Sequence, residues 1–169
     1  MILKVHILEH PTVIAESSDP LVDIRGFVDA YNDNLAASMV PGKTLTIDES
    51  MNQWLGKVSR MPNIKKILGK PHPVGQEYKD IADAKTNIIL RLDISEKHQD
   101  NKEFAGFRAV GGSILRLAKQ WFSSGRTIIA DSYFGSPATA AALYKRGLYS
   151  IMAMKKKEVL ATQCTQRCA

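Results

Sequence analysis

Two short apolar segments that each run into an aspartate constrain the fold of this chain more than any other feature. In the first, Pro41–Met51, a Pro-Gly turn leads into β-favouring residues that end on Asp48. The second, Thr127–Tyr133, has the same form around Asp131. A carboxylate at the end of a buried strand is costly unless it is paired or binds a cation. The two segments therefore predict strands with acidic ends and suggest a metal site, although an acid that closes a strand at a turn explains each one singly.

The residues around these segments alternate between helical and strand patterns. Apolar residues at helical spacing predict helices at about 20–40, 104–123 and 136–146. Short apolar or alternating runs predict further strands at 76–84, 87–94 and 148–154. Residues 83–86 read as the turn of a hairpin between the first two of these strands. This order predicts an α/β domain with a mixed sheet and helices on its faces.

Two local details add to this pattern. Leu45 and Ile47 lie on one side of the Asp48 strand, so Asp48 lies on the other side and Glu49 points away from it. Glu49 is therefore a weaker candidate ligand than Asp48. A glycine pair, Gly111-Gly112, interrupts a predicted helix at a cost of about 1 kcal/mol per glycine. We therefore expect close packing against the sheet at that point.

Composition limits the classes of protein to which the chain can belong. A hydrophobic fraction of 44% in 169 residues is enough for a core, so we expect one domain or part of one. No apolar run reaches the roughly 18 residues that a membrane helix needs, and the N-terminus lacks the pattern of a signal peptide. Cys164 and Cys168 have no nearby Cys or His to complete a zinc site and do not suggest a disulfide framework. We expect an intracellular protein without structural zinc or membrane contact.

The positive charge of the chain is concentrated in two regions. The net charge is +6, and the only acid beyond Asp131 is Glu158, so the C-terminal quarter is basic. A basic strip also crosses the irregular loop predicted over 50–75 and consists of Lys57, Arg60, Lys65, Lys66 and Lys70. Such residues supply most protein contacts to DNA phosphates, so nucleic-acid binding is one interpretation of the strip. A solvated loop is the other.

Asp48 and Asp131 can share a cation if their strands are neighbours in the sheet. Paired carboxylates hold Mg²⁺ or Mn²⁺ against phosphates, because hard cations take oxygen ligands. Two such ions about 3.5–4 Å apart activate a nucleophile and stabilise the leaving oxygen in phosphodiester chemistry. Adjacency of the two strands is the condition on which this hypothesis depends.

A longer motif around the first aspartate resembles that of piggyBac-type transposases. Pro41–Met51, followed by Gly56-Lys57, is similar to the signature around the first catalytic Asp of that family. Lys70-Pro71 with Gly75 resembles the element that follows it in the family. Asp48 is thereby placed at the position of the first catalytic Asp.

The motif around the second aspartate resembles the same family. Gly125–Ser136, with Ala141–Leu143 and Arg146–Leu148, is similar to the block around the second catalytic Asp. The order and spacing of the motifs also agree, and the resemblance covers roughly residues 20–157. Asp131 is thereby placed at the position of the second catalytic Asp.

The resemblance implies an RNase H-like catalytic core of a cut-and-paste DNA transposase. Asp48 and Asp131 would be the first two of three metal-binding aspartates, with Mg²⁺ or Mn²⁺ as the cofactor. Water would attack a phosphodiester, and the freed 3′-OH would attack further strands. The resemblance also implies transposon ends or genomic DNA as a partner, permits a homodimer and predicts a nuclear location.

Part of the family pattern has no counterpart in this sequence. The third Asp of the family lies well downstream of the second, and Glu158, which follows three lysines, does not match its motif. Cys164 and Cys168 do not match the cysteine-rich zinc domain of the family by position. We therefore expect a core truncated before the third carboxylate, divided into an N-terminal segment (1–18), a partial RNase H-like domain (19–157) and a basic, unstructured tail (158–169).

Three functions are consistent with these features. The first is a transposase-derived protein that keeps two metal-binding aspartates but is inactive alone. The second is a co-opted, non-catalytic DNA-binding module that uses the basic strip and the basic C-terminal tail. The third is a Mg²⁺-dependent nuclease whose third carboxylate comes from a partner chain. Because a truncated sheet lacks a later covering helix, we also expect exposed apolar surface near Leu148–Met154 and poor solubility.

Overall fold

A computed structural model describes residues 21–57, 63–95, 103–104 and 106–155 of the chain. Within these residues the helices are α1 (Val22–Ser38), α2 (Ala109–Ala118) and α3 (Pro137–Tyr144). The strands are β1 (Thr44–Gln53), β2 (Lys65–Lys66), β3 (Val74–Asp83), β4 (Ile89–Ile94), β5 (Thr127–Ala130) and β6 (Tyr149–Met152). The predicted segments 1–18 and 158–169 lie outside the described residues, as do Arg60, Glu158 and both cysteines.

The strands form one mixed sheet with β1 at its centre. β1 pairs antiparallel with β3 on one side and parallel with β5 on the other, and β6 pairs parallel with β5. β2 and β4 share the outer side of β3, with β4 lying along Tyr78–Ala82 and β2 beside the first residues of β3. The order of the longer strands is therefore β4-β3-β1-β5-β6. The predicted mixed α/β sheet is confirmed.

Helices cover both faces of the sheet. On one face Leu45 of β1 and Ile128 of β5 pack in a core with Ile114 of α2, and α3 completes this layer. On the other face Val28 of α1 packs in a second cluster with Ile94 of β4. Because successive side chains of a strand point to opposite faces, the same strands supply both layers. No helix in the described part of the chain is both long and apolar enough to span a bilayer.

Asn32 anchors α1 to the open edge of the sheet. Its Oδ1 accepts a hydrogen bond from the Leu92 N–H at 2.8 Å, and its Nδ2 donates to the Leu92 carbonyl at 3.0 Å. The buried amide thus takes the place of a neighbouring strand beside β4. Such cover protects an edge strand from pairing with another chain.

The hairpin between β3 and β4 turns where the sequence predicts. Oδ2 of Asp83 accepts hydrogen bonds from the Thr86 hydroxyl at 2.8 Å and the Thr86 N–H at 2.9 Å. Its Oδ1 accepts from the Gly42 N–H at 2.8 Å. These bonds, led by the one from the Thr86 hydroxyl, hold the pKa of Asp83 below its usual range. Asp83 therefore ties the hairpin to the turn that precedes β1.

The limits of α3 also follow the prediction. Ser136 precedes the helix and its Oγ accepts a hydrogen bond from the Thr139 N–H at 3.1 Å, while Pro137 occupies the first turn. Gly147, at φ +70°, then turns the chain from α3 into β6.

Three predictions about local structure are wrong. β1 continues past Asp48 to Gln53, because β3 pairs with it along that length, so the acid does not end the strand and the loop over 50–75 is shorter than expected. α2 begins at Ala109 rather than near 104, since Phe104 has a positive φ of 64° that a helix cannot include. A Cβ on Gly111 would lie 3.0 Å from Oγ1 of Thr139 in α3, and one on Gly112 would lie 3.0 Å from the Phe104 carbonyl oxygen, so the glycine pair packs against α3 and the segment before α2, not against the sheet.

An apolar surface is exposed on the β5–β6 half of the sheet. Ile129 and Ile151 are paired across these strands and are 36% and 63% exposed, and Tyr149 is 57% exposed. They lie on the same face of the sheet as α1, but α1 covers only the part of that face near β4. The predicted apolar exposure near Leu148–Met154 is confirmed.

Candidate functional site

Asp48 and Asp131 lie at equivalent positions of two neighbouring parallel strands. The pairing of β1 with β5 ends where Ile47 meets Ala130, and the two aspartates directly follow this pair. Ile47 and Ala130 are buried in the core, whereas both aspartates are exposed. The condition for a shared cation, adjacency of the two strands, is met.

The backbone orients one carboxylate oxygen of each aspartate. Oδ1 of Asp48 accepts a hydrogen bond from the Glu49 N–H at 2.8 Å, and Oδ1 of Asp131 accepts one from the Tyr133 N–H at 2.9 Å. Within the described part of the chain, Oδ2 of neither aspartate has a hydrogen-bond partner. In each side chain, one carboxylate oxygen is therefore fixed by a backbone hydrogen bond, and the other is open to bind a ligand.

A third carboxylate, that of Asp80, lies beside Asp48. Asp80 is opposite Asp48 in the antiparallel register of β1 and β3, is only 8% exposed, and accepts a hydrogen bond from the Ser50 hydroxyl at 2.6 Å. Burial raises the pKa of Asp80; the Ser50 bond opposes this rise and the charge of Asp48 adds to it. Sequence reasoning missed Asp80, since its only signal was an acid inside a predicted strand whose partner was unknown.

The two exposed carboxylates form an open set of ligands. Among the residues that the structure describes, no three His, Cys, Asp or Glu side chains lie close enough together to hold a metal ion. Mg²⁺ is commonly bound by one or two carboxylates together with water and substrate phosphates, not by a closed protein cage. The oxygen ligands of Asp48 and Asp131 fit a cation of this kind.

An ionic cluster built mainly on β1 and β3 lies on the face of these strands opposite Asp48 and Asp80. It comprises two glutamates and three lysines, namely Glu49, Glu77, Lys65, Lys70 and Lys79. Glu49 pairs with Lys70 at 3.0 Å, while Oε2 of Glu77 contacts Lys65 at 2.5 Å and Lys79 at 3.2 Å. The prediction that Glu49 points away from Asp48 is confirmed by this pairing.

The charges in the ionic cluster are mutually stabilised. Burial alone would raise the pKa of Glu77, but the hydrogen bond from Lys65 and the charge of Lys79 outweigh it and hold that pKa below its usual value. The hydrogen bond to Glu49 raises the pKa of Lys70. Oε2 of Glu49 is buried and has no hydrogen-bond partner among the described residues. Glu77 therefore remains ionised within the ionic cluster.

Some lysines of the predicted basic strip form ion pairs within the protein, and others are exposed to solvent. Lys65 and Lys70 are partly buried in ion pairs with Glu77 and Glu49, whereas Lys57 and Lys66 are exposed. Arg60 lies outside the described residues. The exposed lysines are thus the described members of the strip best placed to reach an anionic partner.

The chain is similar in sequence to a known protein family and in structure to a solved protein. The chain matches the family described as Transposase IS4 over residues 3–167. It is similar to a chain in the cryo-EM structure of a piggyBac transposase synaptic complex with hairpin DNA, with a TM-score of 0.72 and 21% sequence identity. The likeness covers 82% of this chain and 28% of the other, so this chain spans just over a quarter of that protein. No curated protein matched the chain.

The structural likeness concerns the fold. At 0.72 the TM-score shows that the six-stranded mixed sheet and its helices have the arrangement found in the transposase. The fold class predicted from the resemblance, an RNase H-like mixed sheet flanked by helices, is confirmed.

Proposed function

The chain belongs to the Transposase IS4 family and forms a piggyBac-like transposase core, and we propose that in this core Asp48 and Asp131 hold a divalent metal ion against a phosphate of DNA. The observation that carries the proposal is the parallel register in which Ile47 meets Ala130, since it brings the two exposed carboxylates to the same level of adjacent strands. Mg²⁺ or Mn²⁺ is the cation that such oxygen ligands favour.

Different backbone N–H groups hold the carboxylates of the two aspartates in this proposal. A bound ion would supply positive charge to the phosphate and activate a nucleophile. Oδ2 of Asp48 and Oδ2 of Asp131 would bind the ion, while the N–H groups of Glu49 and Tyr133 hold the Oδ1 atoms. Asp80 adds negative charge beside Asp48 and so strengthens the attraction for a cation.

We also propose that the basic strip binds the DNA backbone. Lys57 and Lys66 are exposed and would contact the DNA backbone, with Arg60, Lys65 and Lys70 as further members of the contact surface. Contacts of this type are independent of base sequence and weaken as salt is added. Binding to transposon ends or genomic DNA in the nucleus is the setting that we propose for this surface.

We further propose that this chain alone binds metal and DNA without completing strand cleavage. The described site offers two exposed carboxylates, whereas the family pattern calls for three aspartates. In this proposal transposition would need a further carboxylate beyond the two that the described residues offer.

Mn²⁺ binding tests the metal site directly. The signal of free Mn²⁺ in electron paramagnetic resonance, titrated with the full chain, should reveal binding that Asp48→Asn or Asp131→Asn weakens by about tenfold or more, since each removes a ligand charge. Asp33→Asn, which removes an exposed acid of α1, is the matched control and should bind as the wild type does. Equal binding by all four proteins would contradict the proposal.

DNA assays separate this proposal from the alternatives. Retention of duplex DNA that declines with salt, without nicking of supercoiled plasmid in Mg²⁺, is the expected result. DNA binding with no Mn²⁺ site would favour a non-catalytic DNA-binding module. Mg²⁺-dependent nicking that both aspartate variants abolish would favour a nuclease completed by a second chain.

A further inference from the structure

The ionic cluster reaches the loop that carries Asp131. Nζ of Lys79 lies 5.2 Å from the centre of the Tyr133 ring and 6.0 Å from that of Phe134. The N–H of Tyr133 is the group that donates to Oδ1 of Asp131. The residue that orients the Asp131 carboxylate therefore packs against a lysine of β3.

Lys79 is held firmly in this place. Its side chain is 6% exposed, and its ammonium contacts Oε2 of Glu77 at 3.2 Å and donates to Oγ of Ser95 at 3.1 Å. Glu77 is in turn fixed by Lys65 at 2.5 Å. A buried ammonium needs such partners, and a cation in this setting is attracted to the face of an aromatic ring. Lys79 is thus a fixed support for the Tyr133 ring.

The same cluster also reaches Asp48. Glu49, whose N–H donates to Oδ1 of Asp48, lies opposite Lys79 in the register of β1 and β3. The side chain of Glu49 points into the cluster and pairs with Lys70. Each aspartate is therefore hydrogen-bonded by a residue whose side chain enters the ionic cluster.

Tyr133 is a partly exposed residue beside the ionic cluster. It is 44% exposed, whereas its neighbour Phe134 is 1% exposed, so Tyr133 is not required for the core in the way that Phe134 is.

From these contacts we propose that Lys79 and Tyr133 are positioning residues that set the orientation of the Asp131 carboxylate relative to Asp48, and hence the affinity of the pair for a divalent cation. The inference rests on the proposed function of the two aspartates. In this proposal neither residue is itself a ligand of the metal or a contact to the DNA. The Lys79 ammonium acts on the Tyr133 ring, and the Tyr133 N–H acts on Asp131.

Paired variants test the inference through Mn²⁺ affinity. Lys79→Met and Tyr133→Ala should each weaken binding by about tenfold, the effect of losing a group that orients a ligand. Lys79→Arg keeps a cation, and Tyr133→Phe keeps a ring and an N–H, so both should bind within about twofold of the wild type if orientation is the mechanism. Lys145→Met, an exposed lysine after α3, is the control and should leave binding unchanged.

Hydrogen exchange gives a readout that needs no metal. The Tyr133 amide should exchange faster with solvent in Lys79→Met than in the wild type or in Lys145→Met, because its bond to Asp131 loosens. Thermal unfolding of each variant shows whether the fold survives. If Lys79→Met fails to fold, the comparison of Tyr133→Ala with Tyr133→Phe carries the test, since Tyr133 is 44% exposed.

The outcomes separate this inference from the function on which it rests. Mn²⁺ binding that requires Asp48 and Asp131 but is equally tight in Lys79→Met and Tyr133→Ala would overturn the positioning role alone. Absence of Mn²⁺ binding in the wild type would overturn the proposed function and this inference with it. Weakening in all four variants, the conservative ones included, would also overturn it, since orientation would then not be what matters.

Discussion

Asp80 of β3 faces Asp48 of β1 across the antiparallel pair, so a buried carboxylate lies directly opposite an exposed one. Like charges in such a pair destabilise a sheet by about 0.2–1 kcal/mol. The Ser50 hydroxyl offsets part of this cost through its 2.6 Å hydrogen bond to Asp80. Burial and the Asp48 charge nevertheless raise the pKa of Asp80. The stability of the fold is therefore coupled to charge beside the proposed metal site.

Asp80→Asn should stabilise the protein at neutral pH, since the amide removes a buried charge and can still bond to Ser50. Because the folded-state pKa of Asp80 is raised, the folded wild type is most stable relative to the unfolded chain below the unfolded-state pKa of this carboxyl. It loses that stability as the pH rises through the folded-state pKa. The gain should thus be larger at about pH 8 than at about pH 4. Urea unfolding at both pH values measures it, with the exposed Asp33→Asn as control. A variant less stable than the wild type at pH 8 would refute this reasoning.

Asp83 should make the protein sensitive to acid. Bonds from the Thr86 hydroxyl and from backbone N–H groups lower its pKa, so its contribution to stability is present above the unfolded-state pKa and is lost as pH falls through the folded-state value. Asp83→Ala should be less stable than the wild type at neutral pH, and the difference should shrink below about pH 4. Unfolding midpoints across this range provide the measurement, with the exposed Asp29→Ala for comparison. A constant difference at every pH would argue against the carboxylate as the cause.

Two glycine-to-alanine changes should have opposite effects. A Cβ on Gly135, in the loop after Asp131, would lie 2.0 Å from the Ala153 carbonyl oxygen, and such overpacking costs about 1–3 kcal/mol. Gly26 in α1 has open space around it, so alanine there should stabilise the helix by up to about 1 kcal/mol. Thermal unfolding of both variants tests the pair. Equal destabilisation would show that backbone freedom, and not the close approach at Gly135, is what matters.

Ile151→Lys should reduce association of the isolated chain. Ile151 is 63% exposed beside Ile129, and a charge there interrupts the apolar surface of the β5–β6 half of the sheet. Light scattering should show fewer aggregates, with unfolding free energy within about 0.5 kcal/mol of the wild type. Ile128→Lys, at a fully buried position of the same strand, should instead prevent folding. Unchanged scattering in Ile151→Lys would mean that association uses another surface.

Local patterns were enough to place much of the fold. The Ser136 cap, the Gly147 turn and the Asp83–Thr86 hairpin were all readable from the sequence, because each depends on residues within a few positions of one another. The motifs that contain Asp48 and Asp131 were recognisable for the same reason, since each is a short local segment. The end of β1 could not be predicted from local patterns, because the length of this strand depends on its pairing with β3.

By itself the sequence determined where most of the helices and strands lie, and it placed Asp48 and Asp131 in motifs that resemble those of a transposase core. Tertiary structure alone decided that Ile47 meets Ala130, that Asp80 faces Asp48, and that Lys79 supports Tyr133. The physical reason is register. Side-chain alternation along a strand is encoded locally, but which residue of a distant strand lies opposite is set by the combined packing and hydrogen bonding of the whole sheet.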